Sequence, residues 1–273
     1  MSKALHNDLT KEMLEYEYGL SKNWSTVART LGHSYTTIKK YVDLYDIQYE
    51  KRQQYSCDYN FFKNETPESF YVAGFIAADG SIRNTKYSDI LKINLSINDI
   101  EHLIKIKNIM NSNHPIKEFV IDPKAKIIKK CVEFKIFSCG MINDLEKFNI
   151  IQNKTFTYHM PDWLLIHPLV SHFMRGYFDG DGTISLGKLY KGRKVKQLTF
   201  ANIGTLNFIQ QYQQILINNC LINKTKIYKH KNVYKVGYTG NGNAGKIFSF
   251  LYKDATIYLD RKRNIFINSQ PFQ

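Results

Sequence analysis

The chain is 273 residues long, 43% hydrophobic and 23% charged. Such a length allows one large or two to three smaller domains with a sizeable core, and excludes a disordered tail or a disulfide-built miniprotein. No apolar run approaches the roughly 18 residues a membrane span needs, so a soluble protein with no membrane partner is expected. The opening MSKALHNDLT lacks the basic-then-apolar order of a secretory signal, and Cys57, Cys131, Cys139 and Cys220 show no metal-ligand spacing. Reduced thiols in the cytoplasm, or in whichever compartment makes the protein, are the expectation.

Charge is uneven along the chain. Residues 1–65 hold 9 Lys and Arg against 9 Asp and Glu, residues 66–164 hold 13 against 11, and residues 165–273 hold 16 against 4. The formal excess of +14 therefore lies after residue 65. Stretches such as Lys188 to Lys196 and Lys224 to Lys231 mix lysine with tyrosine, as a phosphate-facing surface would. A solvated basic face with no partner is the alternative.

The first fifty residues predict three short helices. The first is acidic and runs from about Asp8 to Leu20. In the second, Trp24, Val27, Ala28 and Leu31 follow helical spacing, and Ile38, Tyr41, Val42 and Tyr45 repeat it in the third. Gly32 suits a positive-φ cap between them and Ser34 suits the next N-cap. The pattern resembles a helix-turn-helix. Tyr35, Thr36, Thr37, Lys39 and Lys40 would then face a major groove, although a small helical subdomain of another kind fits the same pattern. Balanced charge here predicts a weak grip on DNA by this segment alone.

Residues 51–66 lack periodicity and are expected to form a linker, with Tyr59, Phe61 and Phe62 available to dock on the domain after it. Beyond this linker the chain repeats itself. VAGFIAADG (Val72 to Gly80) and MRGYFDGDG (Met174 to Gly182) share one pattern at an offset of 102 residues. After the first copy, Leu91, Ile93, Leu95 and Ile97 alternate with Lys92, Asn94, Ser96 and Asn98, which predicts a half-buried strand. A helix over DIEHLIKIKNIM, strands around Ile116 to Ile121 and Cys131 to Phe137, and a helix over GMINDLEKF come next. The second copy answers with TISLGKLY, KQLTFANI, the helix LNFIQQYQQILINN, KTKIYKHK, VYKVGYT and the helix AGKIFSFLY. The expected fold class is α+β: two pseudo-symmetric αββαββα units forming a DNA-binding saddle, plus the small all-α domain. The expected divisions are 1–50, 51–66, 67–164 and 165–273.

Each nonapeptide predicts a helix C-terminus, with Gly80 or Gly182 placed to end it. Gly74 with Ala78, and Gly176 with Gly180, put small residues four apart on one helix face, where two backbones can approach closely. If the helices pack side by side, Asp79 and Asp181 converge. Their carboxylates, with the carbonyls of Ala78 and Gly180, would make an oxygen-rich pocket for a hard divalent cation, Mg²⁺ first and Mn²⁺ as a substitute. A calcium loop is excluded for DGDGTISL: counted from Asp179, position six is Ile184 and position twelve is Tyr190, where glycine and glutamate are required. Two capped helices bearing surface aspartates remain the plain alternative.

The nonapeptides resemble the LAGLIDADG motifs of homing endonucleases, in the form that carries two motifs in one chain, over about residues 67–273. The resemblance implies metal binding by Asp79 and Asp181, with main-chain ligation by Ala78 and Gly180. It also implies a basic residue near the site at the end of each unit, which suggests Lys154 in QNKT and Lys262 in LDRKR, with Arg261 a competitor for the latter. Ordinary phosphate contacts by these lysines are the alternative. The earlier acidic position of the motif is Ala77 in one copy and Asp179 in the other, so neither receives a metal role.

The implied activity is metal-dependent hydrolysis of both strands of a specific DNA site across the minor groove, leaving short 3′ overhangs. The implied partner is double-stranded DNA with a long asymmetric target, bound by a monomer. By strand parity Lys92, Asn94 and Ser96 are the candidate DNA contacts of the first unit. Lys196, Lys226, Lys229 and Lys235 are those of the second, which by charge would supply most of the nonspecific grip. A DNA-binding regulator that keeps the scaffold without cutting, and an RNA-splicing maturase, are the other functions compatible with the sequence.

Overall fold

The computed structural model describes residues 9–49, 55–84, 89–124, 128–187 and 196–269. The chain divides into two compact units between Gln54 and Tyr55.

The first unit contains α1 (Lys11–Ser21), α2 (Trp24–Thr30) and α3 (Tyr35–Leu44). Each starts at a side-chain cap. Thr10 accepts from the Met13 amide, which begins α1 later than the apolar pattern suggests; Asn23 accepts from Ser25 and Ser34 from Thr37. Gly32 has φ +69° in the turn between α2 and α3, as expected of the glycine there. Leu14, Trp24, Val27, Ala28, Ile38, Tyr41 and Val42 form a separate small core, in which Trp24 stacks on Tyr18 at 4.2 Å.

The second unit begins before the first motif. Of the expected linker 51–66, residues 55–66 are packed rather than free: Phe61 and Phe62 are buried, Asp58 N donates to Met110 O and Asn113 N to Ser56 O, while Tyr59 stays exposed. Two apolar side chains buried in the larger core outweigh the lack of any periodic pattern.

After this strap come α4 (Pro67–Asp79), β1 (Gly80–Asn84), β2 (Asp89–Ser96), α5 (Ile100–Ile109), β3 (Ile116–Val120), β4 (Lys130–Phe137), α6 (Cys139–Glu146) and α7 (Asp162–Leu165). The second half runs α8 (Val170–Asp181), β5 (Thr183–Leu186), β6 (Leu198–Gly204), α9 (Leu206–Cys220), β7 (Tyr228–His230), β8 (Val233–Thr239), α10 (Asn241–Tyr252) and α11 (Asp260–Ser269). The two four-stranded antiparallel sheets have orders β1-β2-β4-β3 and β5-β6-β8-β7, the same order in each half. The fold class is thus as the repeat predicts.

Local chemistry moves several boundaries. Strand β2 ends at Ser96 because its hydroxyl accepts from Asn98 N, so Ile97 enters a 3₁₀ turn instead of the strand. β7 is shorter than Lys224 to Lys231 because Thr225 is drawn to α9, its carbonyl accepting from Gln213 Nε2 at 2.8 Å. Residues 188–195, which carry much of one basic stretch and the end of the expected strand TISLGKLY, lie outside the described residues.

Helices α4 and α8 form the centre of the larger core. α4 begins with a capping box, Thr66 accepting from Ser69 N while Ser69 Oγ accepts from Thr66 N. Ser69 through Ala77 are all buried, so this stretch of α4 has no solvent face. Each sheet lays its apolar face on this core: Leu91, Ile93 and Leu95 are buried in the first, Leu198, Phe200, Val236 and Tyr238 in the second.

Candidate active site

Gly74 and Gly176 bring the motif helices together. An added Cβ at Gly74 would lie 2.0 Å from Phe173 O, and one at Gly176 would lie 1.9 Å from Tyr71 O. Any side chain there would overlap the backbone of the opposite helix. Farther along, a Cβ at Gly180 would lie 2.5 Å from Ala78 Cβ and 3.3 Å from Asp79 Oδ2. The C-terminal ends therefore meet, and Asp79 comes from one helix and Asp181 from the other.

The glycines that end these helices act differently from expectation. Gly80 has φ −82° and Gly182 φ −77°, both extended rather than left-handed. Their lack of a side chain is a packing requirement instead: a Cβ would lie 2.6 Å from Ile76 Cγ2 at Gly80 and 2.1 Å from Phe178 Cδ2 at Gly182. The chain turns straight from each acid into a strand.

Asp79 is exposed as a residue, yet protein surrounds its carboxyl closely enough that desolvation, ahead of the negative charge of Asp181, raises its pKa to about 6. Asp181 is half-buried and also raised by desolvation, with Lys262 and Lys154 opposing the shift. Both lysines are buried, and desolvation lowers each to about 8 against the pull of the acids.

Each lysine returns to its own motif. Lys154 follows Asn153, which sits at φ +63°, and its ammonium donates to Gly80 O. Lys262 in α11 donates to Phe178 O at 2.7 Å, Asp179 O at 2.7 Å, Gly180 O at 3.1 Å and Gly182 O at 2.6 Å. A cation here satisfies the carbonyls that a helix end leaves open and matches its partial negative charge. Arg261 points elsewhere, pairing through two nitrogens with Asp99 at 2.8 and 3.0 Å. Geometry thereby selects Lys262 over its neighbour.

Asp179 has a role that sequence reasoning missed. Two residues advance a helix by about 200°, so Asp179 and Asp181 face opposite ways. Fully buried, Asp179 accepts from Tyr71 OH at 2.7 Å, Leu259 N at 2.8 Å and Tyr252 OH at 3.1 Å. Tyr71 also meets His102 Nε2 at 2.9 Å, and the Arg175 guanidinium lies 5.1 Å from the Tyr71 ring centre. This network ties α4, α5, α8 and α10 together and fixes Leu259, whose carbonyl receives Lys262 N. The helical phase of Asp179 was the signal that would have found it.

Parity on the first sheet is as predicted. Asn94 and Ser96 are exposed and Lys92 half-buried on the face opposite the core, level with Ser81, Arg83 and Lys135 across the ladder. In the second sheet Lys235 lies on the corresponding face beside Ile203, whereas Lys229 pairs with Tyr234, which packs on the core. Lys229 therefore belongs to the helix side of the edge strand, a correction to its assignment as a groove contact. Lys226 is exposed with its ammonium 5.4 Å from the Tyr228 ring centre, and Lys196 is exposed just before β6. In the small unit Tyr35, Thr36 and Lys40 are exposed and Thr37 half-buried, while Lys39 is engaged, donating to Tyr49 OH at 2.6 Å.

Among the described residues no group of three or more His, Cys, Asp or Glu is placed to share a metal. The donors at the helix ends are two carboxylates and main-chain carbonyls. Desolvation and the charge of Asp181 raise the proton affinity of Asp79 while no cation lies between the two acids, and an oxygen set of this kind suits a hard divalent cation. The Gly180 carbonyl already receives Lys262, so its expected metal contact would share that oxygen with an ammonium.

No protein-family model and no curated protein sequence matches the chain. Solved structures do. The homing endonuclease I-WcaI, solved with its DNA recognition sequence, aligns with TM-score 0.52 and 15% identity over 75% of this chain and 90% of its own. I-LtrWI, a LAGLIDADG homing endonuclease solved with target DNA, aligns with TM-score 0.50 and 13% identity over 74% and 88%. The larger unit has the LAGLIDADG homing endonuclease fold. No helix among the described residues is long and apolar enough to cross a membrane.

Proposed function

We propose that the protein is a site-specific DNA endonuclease that hydrolyses one phosphodiester in each strand of a long asymmetric target and leaves short 3′ overhangs. The observation that carries this reading is the meeting of Asp79 and Asp181 at the ends of two close-packed helices, with Lys154 and Lys262 buried behind them. Two acids alone would repel each other. Two acids facing a phosphate, with divalent cations between, form a site for in-line displacement.

Asp79 and Asp181, with the carbonyls of Ala78 and Gly180, would hold Mg²⁺, which when bound supplies charge neutralisation at the scissile phosphate and lowers the pKa of water. The lysines keep the acid-bearing helix ends in place and add positive potential toward the phosphate. Arg83, Lys92, Asn94 and Lys135 on the first sheet, and Lys235 on the second, supply DNA contacts. Both acids reside in one chain, so a monomer suffices. The small unit would extend the footprint through exposed Tyr35, Thr36 and Lys40, its affinity added by tethering.

Cleavage of a random-sequence DNA library with Mg²⁺, then sequencing of the new ends, tests the proposal without knowledge of the target. The expected result is one long motif with paired staggered cuts, abolished in Asp79→Asn and Asp181→Asn proteins that still bind that motif. Selection of a motif by binding, with no cut in Mg²⁺ or Mn²⁺, would overturn it in favour of a regulator.

A further inference from the structure

The ladders of the two sheets match rung for rung, because each starts from a motif. Ser81 and Thr183 both lie two residues beyond the motif acid. Ser81 pairs with Lys92, which pairs with Lys135, whereas Thr183 pairs with Ala201, which pairs with Gly237. Their strand neighbours Ile93, Phe134, Phe200, Val236 and Tyr238 enter the core, so these residues stand on the opposite face. At one and the same rung, the first sheet carries two ammonium groups and the second a methyl group and a hydrogen. The contrast extends along the second face, where the neighbouring rungs are Thr199 with Thr239 and Ile203 with Lys235. Lys235 is the one charged residue on those three rungs.

The fold does not require glycine at 237. Its φ is not positive, and an added Cβ would meet Phe200 O at 3.5 Å and Ala201 Cβ at 3.7 Å, ordinary contact distances. Gly204 on the adjacent strand differs, since a Cβ there would lie 2.8 Å from Phe208 Cδ1. A glycine inside a strand weakens it and marks a place where another molecule can come close to the backbone. Ala201 is 2% exposed, so the surface offered at this rung is the half-buried backbone of Gly237. Beside it stand Thr199 and Thr239, whose hydroxyl oxygens engage each other at 3.3 Å. On the first sheet, Arg83, Lys92 and Lys135 line one hollow of about 410 Å³, with Lys135 steadied by Glu133 at 2.6 Å.

We propose that these matched rungs are two specificity positions that select opposite bases: guanine beneath Lys92 and Lys135, and thymine beneath Gly237. In the major groove guanine presents O6 and N7 as acceptors for ammonium groups, and thymine presents a methyl group that a low, threonine-flanked surface admits. The inference rests on the DNA-binding part of the reading above and is independent of cleavage.

The test selects bound duplexes from a random-sequence library in EDTA, using wild-type, Lys92→Ala and Gly237→Ala proteins, alongside thermal melts. The wild-type motif is expected to contain a guanine that Lys92→Ala no longer fixes and, in the other half, a thymine that Gly237→Ala no longer fixes. Deoxyuridine in place of that thymine should weaken wild-type binding about fourfold, the worth of one buried methyl group, and leave Gly237→Ala binding unchanged. Replacing the guanine by 7-deazaguanine should weaken wild-type binding about fivefold. Gly237→Ala should melt at or above the wild-type midpoint. Lys92→Ala binding weakened equally for every sequence would make that lysine a phosphate contact, and a lowered midpoint for Gly237→Ala would make the glycine structural. Either result, or a deoxyuridine substitution without effect, would overturn the proposal. A motif with both features that is never cut in Mg²⁺ would support the base assignments while removing the nuclease reading; no selected motif would remove both.

Discussion

Replacing Gly74 by alanine probes the feature on which the whole site depends. The new Cβ would lie 2.0 Å from Phe173 O and 2.8 Å from Phe173 C, both main-chain atoms of α8. No rotamer relieves that overlap, because the methyl group has none and the neighbour is backbone. Ordinary contact distances are about 3.5 Å, so α4 and α8 must part by roughly 1.5 Å locally. A gap of 0.5–1 Å already forfeits about a quarter to a half of each packed contact, and Phe75, Phe173 and Tyr71 around it are fully buried. Overpacking in a core costs about 1–3 kcal/mol when side chains can yield; here we expect roughly 3–5 kcal/mol, a drop in midpoint of about 10 °C for a unit of this size. Urea unfolding monitored by circular dichroism measures it. Gly140→Ala is the control, since its Cβ would meet only Ser138 Oγ at 3.9 Å in α6. A loss at Gly74 below about 1 kcal/mol, or one equal to that at Gly140, would refute the argument that backbone contact sets the helix separation.

Two further outcomes concern the buried network. Burial holds His102 near pKa 4, below its ordinary 6.5. The unfolded chain therefore takes up the proton first on acidification: stability is full above pH 6.5 and falls as pH drops from 6.5 toward 4, the loss approaching roughly 3 kcal/mol at the lower end. Urea midpoints of His102→Gln protein over that window should show a shallower slope, and an unchanged slope would exonerate this histidine. Asp179→Ala strands Tyr252 OH and Leu259 N, while Tyr71 can turn its hydrogen to His102. A loss of about 2–5 kcal/mol is expected, with Asp179→Asn closer to wild type because an acceptor oxygen remains for Leu259 N. Equal losses in the two variants would show that the oxygen acceptor is not what matters.

Periodicity in α2, α3 and β2 was strong enough to place those elements and their buried faces, and the repeated nonapeptide placed Asp79 beside Asp181 from spacing alone. What the sequence withheld was side-chain reach. Residues 55–66 have no period, yet Phe61 and Phe62 supply enough apolar surface to dock them. Lys229 sits in a short edge strand whose parity is set by Tyr234 across the ladder, a partner no local pattern names. Gly80 and Gly182 were legible as necessary glycines but not as packing glycines, because the side chains they avoid, Ile76 and Phe178, lie one turn back in three dimensions. The resemblance pointed to Lys154 and Lys262, and only geometry could separate Lys262 from Arg261.

The return of each lysine to its own motif has a consequence for synthesis. The whole second sheet and the helices α9 and α10 lie between Asp181 and Lys262, so a ribosome moving at about 5–20 residues per second leaves the second acid waiting several seconds for its ammonium. During that interval the carbonyls at the end of α8 lack their cap, while the first half already has Lys154 in hand. A nascent chain thus passes through a stage with one finished half-centre and one unfinished one. Under the proposed nuclease reading, cutting of both strands would await α11, the last of the described helices to be made.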